Sequence, residues 1–133
     1  MPQFDVDAER INLFEIDGQY LFKQYFERTD LFEEFREYYN DDAYRFEIPQ
    51  DDLDVVRERL TEAYFEPVIV DDLESFCVVK EKYTEHAEIL KHSVTHWERR
   101  GHLFFIMKDE LAVKEAVERG ADQLEETEFV LGL

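Results

Sequence analysis

The segment AYRFEIPQDDLDVVRERLTEAYFEPVIV, residues 43–70, contains the clearest change of periodicity in the chain. Tyr44, Phe46 and Ile48 alternate with polar residues, which predicts a strand with one buried face. After Pro49 the apolar positions recur at the spacing of one helix face, at Leu53, Val56, Leu60 and Tyr64. The short apolar run PVIV then predicts a second strand, so this segment indicates strand, helix, strand.

The pattern continues through residues 71–107. An Asp71-Asp72 turn and the strand SFCVVKE are followed by a helix over 84–100, capped by Thr84 and ended by Gly101, and by the strand HLFFIM. The order over residues 43–107 is therefore strand, helix, strand, strand, helix, strand. This order resembles the split βαβ unit of a ferredoxin-like sandwich, and it predicts an α+β fold.

The N-terminal part predicts a hairpin followed by a helix. Asp17-Gly18 lies between two apolar runs, a strong signal for a two-residue turn between strands at 11–16 and 19–26. The second run also fits the start of a helix, and that alternative stays open. Asp30, with Glu33 three residues later, has the pattern of a capping box for a helix that ends near residues 40–42.

The C-terminal part predicts one helix and one strand. Asp109 precedes ELAVKEAVER as a helix cap, Gly120 ends that helix, and EFVLGL, residues 128–133, reads as a last strand. The length of 133 residues and the absence of a Pro-, Gly- or Ser-rich linker favour a single globular domain over 1–133.

The net charge is the most informative global property. Thirty-four acidic and 15 basic residues give −19 at pH 7, and such a surface repels itself unless salt screens it. This composition resembles that of proteins from salt-in halophiles such as the haloarchaea. Together with the lack of a signal peptide pattern and of a long apolar run, it predicts a protein of a high-salt cytoplasm, without a membrane span.

The four histidines all lie in EHAEILKHSVTHWERRGH, residues 85–102. On a helix over 84–100, Ala87, Leu90, Val94 and Trp97 would face the core, and a polar face would carry Glu85, Glu88, His92 and His96. A His-x-x-x-His pair with a nearby carboxylate could hold Zn²⁺ or Ni²⁺, so Glu88, His92 and His96 are candidate metal ligands. Alternatively, these side chains form ordinary pairs on a solvated helix face.

The same region is the only basic one. Residues 80–108 have a net charge of +2, whereas residues 1–79 have −15. Candidate contacts to an anion or to an acidic partner are Lys91, Arg99, Arg100, His102 and Lys108. Salt bridges to the acidic remainder of the chain are the structural alternative.

Recognisable enzyme motifs are absent from the sequence: it contains no GxGxxG, Walker A or GxSxG pattern, and no catalytic residue is assigned. Cys77, the single cysteine, is predicted to be a buried small side chain. We therefore expect a regulatory or protein-interaction module without catalysis, with a protein partner or a homodimer. The alternatives are a protein that binds a metal or an anionic metabolite through His92 and His96, and a nucleic-acid-associated protein, although the RNP1 pattern is absent.

Overall fold

The first of two β-sheets is built almost entirely from the N-terminal half of the chain. A computed structural model describes residues 8–132. Sheet 1 has the strand order β3-β4-β2-β1-β5, and only the β1–β5 pair is parallel. Its strands are β1 (Glu9–Ile16), β2 (Gln19–Phe22), β3 (Tyr39–Asn40), β4 (Arg45–Pro49) and β5 (Phe65–Ile69).

The second sheet is built from the C-terminal half and is antiparallel throughout. Sheet 2 has the order β7-β8-β6-β9, so that β8 lies between β7 and β6. Its strands are β6 (Cys77–Glu81), β7 (Ser93–Arg99), β8 (His102–Met107) and β9 (Asp122–Gln123).

Four α-helices occur in residues 8–132: α1 (Thr29–Phe35), α2 (Leu53–Glu62), α3 (Ala87–Lys91) and α4 (Glu110–Glu118). The predicted caps of α4 are confirmed, since the Asp109 carboxylate accepts a hydrogen bond from the Ala112 amide at 2.7 Å and Gly120 follows the helix with φ +99°. In the described part of the chain, no helix has the length and apolarity needed to cross a membrane.

Strand β1 contributes to two hydrophobic cores. Ile11 and Leu13 pack with β4, α1 and α2, whereas Phe14 and Ile16 pack with residues of sheet 2. Successive side chains of a strand point to opposite faces, so β1 is buried on both sides. Sheet 1 therefore lies between the α1/α2 helices and sheet 2.

Two hairpins end in turns whose central residues both have positive φ. The Asp17-Gly18 turn, with φ values of 53° and 80°, joins β1 to β2 and confirms the predicted hairpin. Residues 23–26 continue neither as strand nor as helix, so the open alternative resolves to a strand that ends at Phe22. The Arg100-Gly101 turn, with φ values of 53° and 75°, joins β7 to β8.

The α+β class is confirmed, but the ferredoxin-like core is not. The segment 43–107 would have to form one sheet, and instead β4 and β5 belong to sheet 1 while β6, β7 and β8 belong to sheet 2. A short 3₁₀ segment, Leu73–Phe76, connects the two sheets where the sequence predicted a simple turn. Phe76 in that segment contacts Phe14 edge to face at 5.4 Å, which anchors the crossing.

The predicted helix over 84–100 is wrong. The helical part is α3 alone, and residues 93–99 form strand β7. Within α3 the buried residue is Ile89, whereas Ala87 and Leu90, which the helix pattern placed in the core, are exposed. Pairing with β8 favours the strand through cross-strand packing, since Trp97 lies directly opposite Phe104 and the two rings stack at 5.5 Å.

Two smaller predictions are also wrong. Asp30 lies inside α1 and pairs with Arg28 instead of capping the helix, whose N-cap residue has no side-chain hydrogen bond. Residues 127–132 form no strand, although Phe129 and Leu131 pack against sheet 2, and residue 133 lies outside the described range.

We expect Phe14→Ala to lower the free energy of unfolding by about 3–5 kcal/mol, because it leaves a cavity between the two sheets. Leu111→Ala, at a position that is 63% exposed on α4, is the matched control and should change it by less than about 0.5 kcal/mol. Denaturant unfolding in concentrated KCl measures both. Equal effects of the two substitutions would contradict the assignment of Phe14 to a shared core.

Candidate functional site

A cavity of about 600 Å³ lies where the edge of sheet 1 meets α3 and the start of β7. Its walls come from three regions of the chain: residues 23–25 after β2, residues 39–46 around β3 and β4, and residues 87–96. The polar and charged lining residues are Lys23, Gln24, Asp42, Arg45, Lys91, Ser93, Thr95 and His96. This volume lies within the range of small-molecule sites, about 300–1,000 Å³.

The charge of the lining differs from that of the whole chain. Lys23, Arg45 and Lys91 are basic and His96 can become so, whereas Asp42 is the one acidic residue among the lining residues. In a chain with more than twice as many acids as bases, this local excess of basic side chains favours a positive potential inside the cavity.

Arg45 is held in place by two groups. Its Nε donates to Glu47 Oε2 at 2.8 Å, and its Nη1 donates to the carbonyl oxygen of Val94 at 2.9 Å. Glu47 also accepts a hydrogen bond from Asn40 Nδ2 at 3.1 Å. These bonds fix the guanidinium between the two sheets, and they leave several of its five N–H donors available to a ligand.

Lys23 lies at the same junction, near Arg45. Its Nζ donates to the carbonyl oxygen of Ser93 at 3.0 Å, and the described residues provide no carboxylate partner for it. Burial lowers the pKa of Lys23, and the neighbouring charges of Lys108 and Arg45 lower it further. An anion in the cavity would relieve this repulsion and would find two ammonium donors unused.

His96 lies at the mouth of the cavity, on β7. Its ring stacks on Phe105 at 6.1 Å with an interplanar angle of 25°. Desolvation lowers the pKa of His96, and the nearby Arg45 adds to that effect. The imidazole is therefore more often neutral near pH 7 than a free histidine, and it offers one donor and one acceptor.

The apolar part of the lining combines aromatic and aliphatic side chains: Tyr25, Tyr39, Tyr44 and Phe46 with Ala43, Ala87, Leu90 and Val94. Tyr44 has φ 54°, a conformation that a bulky residue rarely adopts, and it is 66% exposed. The loop before it is shaped by Asn40, whose Oδ1 accepts from the amides of Asp42 and Ala43 at 2.9 and 3.1 Å. Backbone strain of this kind clusters at binding sites, where it presents a side chain to a ligand.

The structure separates the three predicted metal ligands. Glu88 and His92 lie beside each other at the end of α3, facing α4, whereas His96 lies on β7 at the cavity. Nowhere in residues 8–132 do three His, Cys, Asp or Glu side chains form a group that could hold a metal ion. Binding of Zn²⁺ or Ni²⁺ stays a prediction, but the helical geometry that suggested it is wrong.

The predicted anion or partner contacts divide among four places. Lys91 lines the cavity, and Lys108, at the end of β8, lies near Lys23 and His92. Arg100 occupies the exposed β7–β8 turn. The remaining two contact the C-terminal segment: Arg99 donates to the carbonyl oxygen of Val130 and lies 4.7 Å from the Phe104 ring, and His102 packs on Phe129.

Cys77 is buried, as predicted. Burial raises the pKa of its thiol to about 12, so the thiol stays protonated and unreactive at neutral pH.

Neither Lys23 nor Arg45 is predicted as a site residue from the sequence. The alternation of β4 assigned Arg45 to a solvated face, and Lys23 stood alone in an apolar run. These two side chains come together because of how the two sheets pack. No local pattern in a single sequence indicates that packing. Comparisons with known proteins add no assignment: no protein-family model, curated protein or solved structure matches this chain.

The two perturbed histidines predict a pH dependence of stability. Burial lowers the pKa of His92 and of His96 below 6.5 in the folded chain, so the unfolded chain binds protons more readily. Their contribution to stability is present above about pH 6.5 and is lost as the pH falls through the folded-state values. We expect the double variant His92→Gln/His96→Gln to lose less unfolding free energy than the wild type between about pH 7.5 and about pH 5.5.

Denaturant titrations across that pH range measure the slope, and His102→Gln, at a position outside the cavity, is the control for removing a histidine. A wild-type slope in the double variant would contradict the lowered pKa values of these two rings.

Proposed function

We propose that the chain is a small regulatory module without catalysis that binds an anionic ligand with a flat apolar or aromatic part. The observation that supports this most is the cavity of about 600 Å³, whose lining is basic and aromatic in an otherwise strongly acidic chain. This is the anionic-metabolite alternative of the sequence analysis, with His96 and Lys91 kept and with Lys23 and Arg45 added.

The N–H groups of Lys23 and Arg45 that make no hydrogen bond in the structure favour an anion as the ligand. Lys23 and Arg45 each use part of their donor set on the backbone of β7, which fixes their positions. Arg45 is also paired with Glu47, whereas Lys23 has no carboxylate partner among residues 8–132. A carboxylate, phosphate or sulfonate placed between them would accept charge-assisted hydrogen bonds from groups already oriented. Because the two side chains are already held in place, they would lose little conformational freedom on binding, which favours affinity.

The tyrosines favour a flat ligand body. Tyr44 and Tyr25 are 66% and 84% exposed beside the basic groups, and their ring faces are available for stacking. Exposed aromatic rings next to cations suit a ligand that combines an anionic group with an aromatic or planar ring system.

The other candidates fit the geometry less well. A metal would need a ligand group that residues 8–132 do not form. A nucleic acid is usually bound by a basic stripe on the surface, whereas these cations converge on one cavity within an acidic chain. A protein partner is compatible with the ligand site, because β7 has a free edge.

We also propose a high-salt cytoplasm as the working environment, on the basis of the net charge of −19. We expect the unfolding temperature to rise as KCl increases from about 0.1 M to above about 1 M, because screening shortens from about 10 Å to about 3 Å. Thermal unfolding monitored by circular dichroism measures this. Substituting an uncharged osmolyte for KCl is the control, and an unfolding temperature that is independent of KCl would contradict the proposal.

Ligand binding is testable with 8-anilinonaphthalene-1-sulfonate, an aromatic anion, titrated by fluorescence in concentrated KCl. We expect Tyr44→Asn and Lys91→Glu each to weaken its binding by roughly threefold to tenfold, through loss of a stacking face and of a positive charge respectively. Neither residue is buried, so both variants should keep the fold.

The chain provides a close control for each variant. Tyr64 is also 66% exposed and also has a positive φ, of 69°, but it lies outside this cavity, so Tyr64→Asn should bind the probe as the wild type does. Lys114→Glu on α4 controls for charge in the same way. The uncharged analogue N-phenyl-1-naphthylamine should bind more weakly and should not respond to Lys91→Glu.

Equal effects in the tyrosine pair, or binding of the neutral probe as tight as that of the anion, would overturn the proposal. If the proposal holds, competition of the probe by aromatic carboxylates, nucleoside monophosphates and inorganic phosphate then defines the natural ligand class.

A further inference from the structure

Strand β7 is the edge of sheet 2 and pairs only with β8 among the described strands. Arg99 and His102 flank the two-residue turn and are paired. In such a hairpin the flanking residues form a hydrogen-bonded pair, and the hydrogen-bonded positions then alternate along the strand. Thr95, Trp97 and Arg99 therefore direct their amide and carbonyl groups toward β8, while His96 and Glu98 direct theirs outward.

Only the first part of this free edge is covered by the chain itself. The carbonyl oxygens of Ser93 and Val94 accept hydrogen bonds from Lys23 and Arg45. The backbone groups of His96 and Glu98 have no hydrogen-bond partner outside β7 among residues 8–132. An edge with unpaired backbone groups is a template for pairing with another strand.

We propose that a second copy of this chain pairs with the free edge of β7, antiparallel, about a two-fold axis at Trp97. In this register His96 lies opposite Glu98 of the partner subunit, and Glu98 lies opposite His96 of the partner subunit. Both residues point their backbone groups outward, so each of these two pairs forms two backbone hydrogen bonds. Trp97 lies opposite its own symmetry mate in a position without hydrogen bonds.

The side chains are complementary in the same register. Directly opposed residues on one face of an antiparallel pair lie about 4.5–5.5 Å apart between Cβ atoms, so each imidazole meets a carboxylate across the interface. Lys82 Nζ holds Glu98 Oε1 at 2.7 Å, which orients that carboxylate on the sheet surface. A one-residue shift of the register would place Trp97 opposite Glu98 and would lose both complementary pairs.

The charge of the chain also favours this surface for self-association. Two copies with a net charge of −19 each repel one another over most of their surface. Strand β7 lies within residues 80–108, the stretch whose net charge is +2, so repulsion between two copies is least here. An isologous contact of this kind closes as a dimer and stops there.

The first test uses a backbone substitution. Sedimentation equilibrium of the wild type in concentrated KCl should give twice the chain mass of 16.1 kDa. Glu98→Pro removes an outward amide donor and leaves the ladder to β8 in place, so it should raise the dimer dissociation constant by roughly tenfold or more. Glu98→Gln keeps that amide and should change the constant by less than about threefold.

The second test addresses the register. Under mild oxidation Trp97→Cys should form a disulfide-linked dimer, because opposed residues without hydrogen bonds bring their Cβ atoms close enough to bridge. Thr95→Cys is the matched control, since its symmetry mate lies four residues along the strand, about 13 Å away. Cys77, which is buried, does not compete.

A wild type that is monomeric at about 100 μM would overturn the proposal, as would equal dissociation constants for Glu98→Pro and Glu98→Gln. Cross-linking of Thr95→Cys at the rate of Trp97→Cys would overturn the register. If Glu98→Pro lowers the cooperativity of unfolding, the comparison of Trp97→Cys with Thr95→Cys tests the dimer by itself. Thr95 and His96 also line the cavity, but the dimer does not rest on the proposed ligand, because the chain mass and the disulfide cross-link are measured without any ligand.

Discussion

Both hydrophobic cores depend on the two buried faces of strand β1. Ile11 and Leu13 face the helices of sheet 1, and Phe14 and Ile16 face sheet 2. Asn12, almost fully buried, donates through Nδ2 to the carbonyl oxygen of Lys108 at 3.1 Å and so joins the two sheets by a polar contact. A buried amide of this kind is costly unless it is paired, which makes the relative position of the sheets specific.

The cavity follows from the same packing. The two sheets meet along β1 and β2, and they diverge at the edge formed by β3, β4 and the start of β7. Lys23 and Arg45 bridge that gap through the carbonyl oxygens of Ser93 and Val94, where hydrophobic side chains would otherwise have to fill it. The two cations thus help to join the two sheets, and the same side chains would hold the proposed anionic ligand.

The sequence was a good guide where the determinants are local. The Asp17-Gly18 hairpin, β4, the amphipathic α2 and the Asp109 cap of α4 all depend on residues close together in the chain, and all four are confirmed. The two tyrosines at the ends of those patterns are the exceptions, because Tyr44 precedes β4, Tyr64 follows α2, and both are exposed.

Elsewhere the determinants lie far apart in the chain. Residues 93–99 fit a helix face by spacing, and they form a strand because β8 folds back through a turn in which Arg100 adopts a conformation unusual for arginine. Of the cavity, the basic segment indicated Lys91 and His96. The approach of Lys23 and Arg45 depends on packing between the sheets.

The division of the sheets along the chain has a consequence for biosynthesis. Residues 9–69, which build sheet 1, leave the ribosome before any strand of sheet 2 exists, since β6 begins at Cys77. Until the C-terminal half follows, Phe14, Ile16 and Leu21 present an uncovered apolar face on a half-made protein. We therefore expect this nascent intermediate to depend on rapid completion of the chain or on a chaperone that shields the inner face of sheet 1.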